Sequence, residues 1–145
     1  MKDVMLDLET FGLRPGSVIR SIGAVFFDFL GNLGPQFYSN IDRKSCLDRG
    51  LTIDPDTVLW WSEQELAAKA VLVHNPLPIM LVAGGFDYWF KSNGGERVWS
   101  QGANFDPVLW EAAVGQVPWK FYNVRDTRTV YDLMSLDTKT ITREG

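Results

Sequence analysis

Cysteine and histidine are each nearly absent: one Cys46 and one His74 in 145 residues. A single cysteine excludes an internal disulfide and a cysteine-built zinc site, and leaves Cys46 as a small, partly buried side chain. No apolar run approaches the roughly 20 residues of a membrane span. The start, Met1-Lys2-Asp3, lacks the basic-then-apolar layout of a signal peptide, so a cytoplasmic protein with no membrane partner is expected. Positive charge is in deficit too. Fourteen Lys and Arg stand against 18 Asp and Glu, a net charge of −4, which gives no global attraction for nucleic acid and confines any such binding to a local site. Repeats, low-complexity segments and Pro/Gly/Ser-rich linkers are missing, so the chain reads as one domain, able to bury about 70% of its unfolded surface.

What is present suits an ordinary globular fold. Hydrophobic residues at 46% with charged residues at 22% exclude intrinsic disorder. Six tryptophans supply large buried surfaces, or aromatic platforms where exposed. The organising stretch is Val4-Met5-Leu6-Asp7-Leu8-Glu9-Thr10. As a strand it puts Asp7 and Glu9 on one face, about 6.5 to 7 Å apart, and Val4, Leu6 and Leu8 on the other. Both faces read as buried except at the acidic end. Two carboxylates there repel each other, and oxygen-only donors of this kind suit Mg²⁺ or Mn²⁺ rather than zinc. A strand running out into solvent would explain the pair equally well.

Phe11 to Gly16 carries loop chemistry, with two glycines and a proline. Ser17 to Phe29 and Leu33 to Ile41, joined by a turn at Gly31-Asn32, complete a three-strand antiparallel meander. Asp42 to Arg49 predicts a short solvated helix closed by Gly50. Asp54-Pro55 opens a helix through Trp60 and Trp61, and Ser62 with Glu65 resembles a capping box for a further helix from Glu63 to about Leu72. Leu77 to Ser92 has helical spacing, Arg97 to Gln101 is strand-like, Phe105 to Gly115 is helical, Phe121 to Val124 is a strand and Thr127 to Met134 a helix. Strands first, then helices, then alternation predict an α/β fold with a mixed central sheet flanked by helices.

The second acidic stretch is Gly102-Ala103-Asn104-Phe105-Asp106, read as a turn with Asn104 as helix cap and Asp106 in the first helical turn. Asp7-Leu8-Glu9-Thr10, Ile22-Gly23-Ala24-Val25 and Asn104-Phe105-Asp106, in that order, resemble the motifs of the DEDD family of 3′-to-5′ exonucleases, which includes polymerase proofreading subunits, ribonuclease T and oligoribonuclease. Trp60-Trp61 and Arg125-Asp126-Thr127-Arg128-Thr129 are similar to its phage and bacterial exonuclease VIII-like branch. The resemblance implies a ribonuclease H-like fold and hydrolysis of phosphodiesters at the 3′ ends of single-stranded DNA or RNA with two Mg²⁺ or Mn²⁺ ions about 3.5 to 4 Å apart. It implies that Asp7 bridges the ions, Glu9 holds the nucleophile-side ion and orients water, and Asp106 holds the second. Thr10 would donate to the terminal nucleotide, with Phe11, Leu13 and Phe105 against its base or, equally, in the core. Relatives often form homodimers, and the tryptophans offer an interface.

The family also has a fourth carboxylate in a late helix, preceded by a histidine or tyrosine as base. No such element is recognised before Gly145; Asp126 reads as a helix cap, Asp132 as solvent-facing and Asp137 as part of a polar tail. His74 reads as a helix-end residue. The expectation is therefore a single exonuclease domain over 1–145 lacking its last helix and catalytic motif. The alternative is a catalytically inactive nucleic-acid or protein-binding domain on the same fold.

Overall fold

The computed structural model describes residues 1–64 and 74–135. The expected helix from Glu63 to Leu72 falls almost wholly outside them, as does Asp137. Five strands form one mixed sheet in the order β3-β2-β1-β4-β5. They are β1 (Asp3–Thr10), β2 (Ile19–Phe27), β3 (Leu33–Asn40), β4 (Arg97–Ser100) and β5 (Val124–Asp126). The first three run antiparallel as a meander, while β4 lies parallel to β1 and β5 parallel to β4. This is the ribonuclease H-like arrangement expected, with β1 at its centre.

The helices are α1 (Arg43–Asp48), α2 (Pro55–Ser62), α3 (Ile79–Ser92), α4 (Asp106–Val114) and α5 (Thr127–Leu133). Local chemistry sets most of their starts: Asp42, Asp54 and Asp126 each accept a hydrogen bond from a backbone N–H of the first turn. Val4, Leu6 and Leu8 of β1 join Ile22, Ala24 and Phe26 of β2 in the core, with Val82, Phe86 and Phe90 of α3 and Leu109, Trp110 and Ala113 of α4. Rings tie the layers together, Phe26 to Trp89 at 4.9 Å and Phe86 to Trp110 at 5.9 Å.

Three expectations change. Phe121–Asn123 is a 3₁₀ turn, and the strand begins only at Val124. Cys46 is fully rather than partly buried. The acidic face of β1 is less covered than expected: Asp3 is buried, Met5 and Glu9 are half-buried and Asp7 is exposed, because α3 and α4 pack on the opposite face.

Asp3 is buried because it is paired. Its carboxylate accepts Arg97 Nε at 2.7 Å, Arg97 Nη2 at 3.0 Å and Trp99 Nε1 at 2.8 Å, which locks β1 to β4. Burial opposes its ionisation, yet these bonds hold its pKa below the ordinary 3.8. A depressed acid stabilises the fold above its ordinary pKa and ceases to do so as pH falls through the folded value. Asp3→Ala should therefore lower unfolding free energy by about 3 kcal/mol at pH 7 in urea titrations. The deficit should narrow once the pH drops below 3.8.

Candidate active site

β1 outruns its neighbour. It pairs with β4 only through Asp3, Val4 and Met5, after which β4 ends at Ser100 and the chain turns away at Gly102, whose φ of 111° favours glycine. The turn is closed by Ser100 Oγ donating to Gly102 O and by Phe105 N donating to the same oxygen. Leu8 then lies beyond the last β4 partner, and its backbone N–H donates instead to Asp106 Oδ2 at 2.9 Å. That bond fixes the first residue of α4 against the acidic end of β1. Asn104 is not the cap expected: Phe105 holds that position without a side-chain bond, since the tight turn through Gly102 consumes the preceding residues. Pro107 suits the first turn, where its missing N–H has no partner to lose.

Asp7, Glu9 and Asp106 form one electrostatic unit. Asp106 is only 6% exposed, and burial, reinforced by the charge of Asp7, raises its pKa from 3.8 to about 6 against the Leu8 N–H bond and Arg128. Burial likewise raises Glu9, with Asp7 and Asp106 adding to it and Arg20 opposing. Gly23 faces Asp7 across β2 and puts no side chain over it. Three hard oxygen donors that repel one another suit a divalent cation in their chemistry. In geometry the set is open: among the described residues no group of three or more His, Cys, Asp or Glu side chains stands closely enough to hold an ion by itself.

Two cavities adjoin at Leu8 and Phe105. A cleft of about 500 Å³ is lined by Asp7, Gln101, Phe105, Asp106 and Arg128. A pocket of about 430 Å³ is lined by Glu9, Thr10, Leu13, Thr57, Trp60 and Trp61, with Phe105 at the boundary. Leu13, 69% exposed, lines the pocket with Glu9, and Phe105 lines both cavities. Thr10 also lines the pocket, but its hydroxyl already donates to Gly12 O at 2.7 Å. Phe11 stands elsewhere. It is 4% exposed, its ring lies 4.5 Å from the guanidinium carbons of both Arg20 and Arg43, and it borders a separate cavity of about 180 Å³. Trp61 covers Arg20 at 4.4 Å and donates its indole N–H to Thr10 O at 3.0 Å, whereas Trp60 is 51% exposed.

Two further carboxylates, Asp54 and Asp56, line the pocket with Glu9 at the start of α2, where Asp54 caps the helix by accepting Asp56 N–H at 2.9 Å. Tyr122 and Asp126 do stand four residues apart, the spacing of a tyrosine-type base and its acid. Tyr122, however, borders a different cavity with Pro118 and Trp119. Both oxygens of Asp126 are committed, to Arg128 N and to Ala103 N, each at 2.9 Å. Asp132 is exposed, and His74 is exposed with its ring nitrogen against Asn75. Gln101, Arg128 and the pocket walls Trp60 and Trp61 were not identified as site residues from sequence. The adjacent tryptophans and the Arg125–Thr129 segment are the signals in the sequence, but neither says which side chain enters the cleft.

Residues 2–145 match the Rv2179c-like domain, described as a 3′-5′ exoribonuclease domain. The chain belongs to the Rv2179c-like exoribonuclease domain family. Among solved structures, E. coli Exonuclease I in complex with a 5cy-dA13 oligonucleotide is similar, with a TM-score of 0.61 over 97% of this chain at 17% identity. That likeness is one of fold, and the chain spans 31% of that protein's length. Comparison with curated proteins gives no match. The Rv2179c-like assignment agrees with the expected superfamily of 3′-5′ exonucleases.

The raised pKa of Asp106 makes a stability prediction. An acid whose folded pKa exceeds its ordinary value leaves the folded state holding more protons between the two, so stability falls as pH rises from 3.8 through about 6. In EDTA, Asp106→Asn, which retains an acceptor for Leu8 N–H, should abolish this component. Relative to wild type it should gain on the order of 2–3 kcal/mol at pH 7.5 in denaturant titrations.

Proposed function

We propose that this chain is a divalent-metal-dependent 3′-5′ exonuclease acting on single-stranded nucleic acid, RNA in the first place. The observation that carries the reading is the placement of Asp106 by the Leu8 N–H bond, which sets a third acid beside Asp7 and Glu9 at the mouth of an aromatic pocket. Membership of a family described as exoribonuclease favours RNA, and the oligonucleotide bound by the structural neighbour supports a single-stranded ligand. Trp60-Trp61 and the 125–129 segment are the basis for a finer placement beside the exonuclease VIII-like branch.

Asp7, Glu9 and Asp106 would hold Mg²⁺ or Mn²⁺, which supplies a water nucleophile at neutral pH and charge stabilisation of the leaving 3′-oxygen. The protein's own part is positioning. Trp60 presents an exposed ring for the terminal base, Leu13 and Phe105 confine it, and β1 carries the acids past the end of β4 where a phosphate has access. The open ligand set favours a second reading, a nucleic-acid-binding domain without hydrolysis. Calorimetric titration with Mn²⁺ separates them: two sites support the enzyme, none supports the binding domain.

A 3′-labelled single-stranded oligonucleotide should be shortened from its 3′ end in Mg²⁺ or Mn²⁺, and Asp7→Ala should reduce the rate by more than about 100-fold. Unchanged degradation by that variant rejects the assignment. Trp60→Ala should raise KM by about tenfold with little change in kcat, since stacking on an exposed ring contributes about 1–3 kcal/mol per base.

A further inference from the structure

We infer that Arg128 grips the phosphate one nucleotide to the 5′ side of the scissile bond, and so makes the site selective for ends that carry that phosphate. The inference rests on the exonuclease reading and names a contact within it. Of the described residues lining the cleft beside Asp7 and Asp106, Arg128 alone is cationic. Its side chain is exposed, and no described residue takes a hydrogen bond or ion pair from its guanidinium, Asp132 one turn onward included. A guanidinium with an open donor fork beside carboxylates is suited to a phosphate that the acids by themselves would repel.

Its position is fixed. Asp126 accepts the Arg128 backbone N–H with one oxygen and the Ala103 N–H with the other, so the start of α5 is tied to the loop that delivers Asp106. Arg128 Nη1 lies 3.7 Å from where a Cβ on Gly102 would stand, so the guanidinium lies beside the loop that delivers Asp106. Its charge acts on Asp106, whereas the cation acting on Glu9 is Arg20, which places Arg128 on the cleft side of the acids.

The two cavities then give the strand a direction. The pocket walled by Trp60 and Trp61 suits a nucleoside, and the cleft beyond Phe105, with Gln101 and Arg128, suits charged backbone. A chain with its 3′ nucleoside in the pocket lays the scissile phosphate over Asp7, Glu9 and Asp106. The next phosphate lies in the cleft at Arg128.

A dinucleotide isolates this contact, because NpN carries only the scissile phosphate and pNpN adds the one assigned to Arg128. Wild type should bind pNpN about tenfold more tightly than NpN by calorimetry in EDTA, and cleave it with a correspondingly higher kcat/KM in Mn²⁺. Arg128→Ala should reduce both preferences to less than about twofold, with the larger loss falling on pNpN, and Arg128→Lys, which keeps the charge without the fork, should fall between. Equal binding of the two dinucleotides by wild type, an undiminished preference in Arg128→Ala, or equal losses for both ligands overturns the inference. Phosphate-dependent binding lost in Arg128→Ala, with no cleavage by wild type, upholds the contact and rejects the exonuclease reading instead.

Discussion

The bond from Leu8 N–H to Asp106 Oδ2 joins the fold to the site. A central strand must have both edges satisfied, and β1 loses its β4 partner after Met5. A side chain from the next helix supplies the acceptor. The same bond therefore satisfies the strand edge and carries a third carboxylate to Asp7 and Glu9. Much of the surrounding structure serves to hold that geometry: the Asp3 clamp that starts the β1–β4 pairing in register, the Gly102 turn, and the Asp126 carboxylate that spans from this turn to α5.

Holding three acids together opposes stability. Burial of Asp106 and Glu9 disfavours their ionised forms, the charge of Asp7 adds to both, and that of Asp106 adds to Glu9. The fold accepts this locally because the core beneath is dense, with Phe26, Phe86, Phe90 and Trp110 fully buried between sheet and helices. Perturbed carboxylates in a cleft on a rigid scaffold are what a metal-dependent hydrolase needs at neutral pH.

The pocket beside Trp60 and Trp61 has a different support. Arg20 lies between the rings of Phe11 and Trp61, and Arg43 covers the other side of Phe11, an alternating ladder that binds α2 and the loop after β1 to β2. Burial and the charge of Arg43 lower the pKa of Arg20, while Glu9 opposes the shift. Trp61 is thereby locked as a wall, and its neighbour Trp60 is left outward as a platform. Phe11, which from sequence could stack on a base, belongs to this ladder.

The sequence alone determined the strand-first order, the meander, most helix starts and the acidic pair at Asp7 and Glu9, because these depend on period, caps and turn residues within a few positions. It also marked Asp106, since Gly102 to Asp106 is a contiguous turn-to-helix pattern. Tertiary structure decided that Asn104 is not the cap, that Phe11 is core, that Trp60 faces the pocket and that Arg128 enters the cleft. Each depends on contacts between segments distant in the chain, such as Asp126 with Ala103 or Trp61 with Thr10. Local propensity carries no information about which of several side chains the packing of sheet against helix will cover and which it will leave facing the acids.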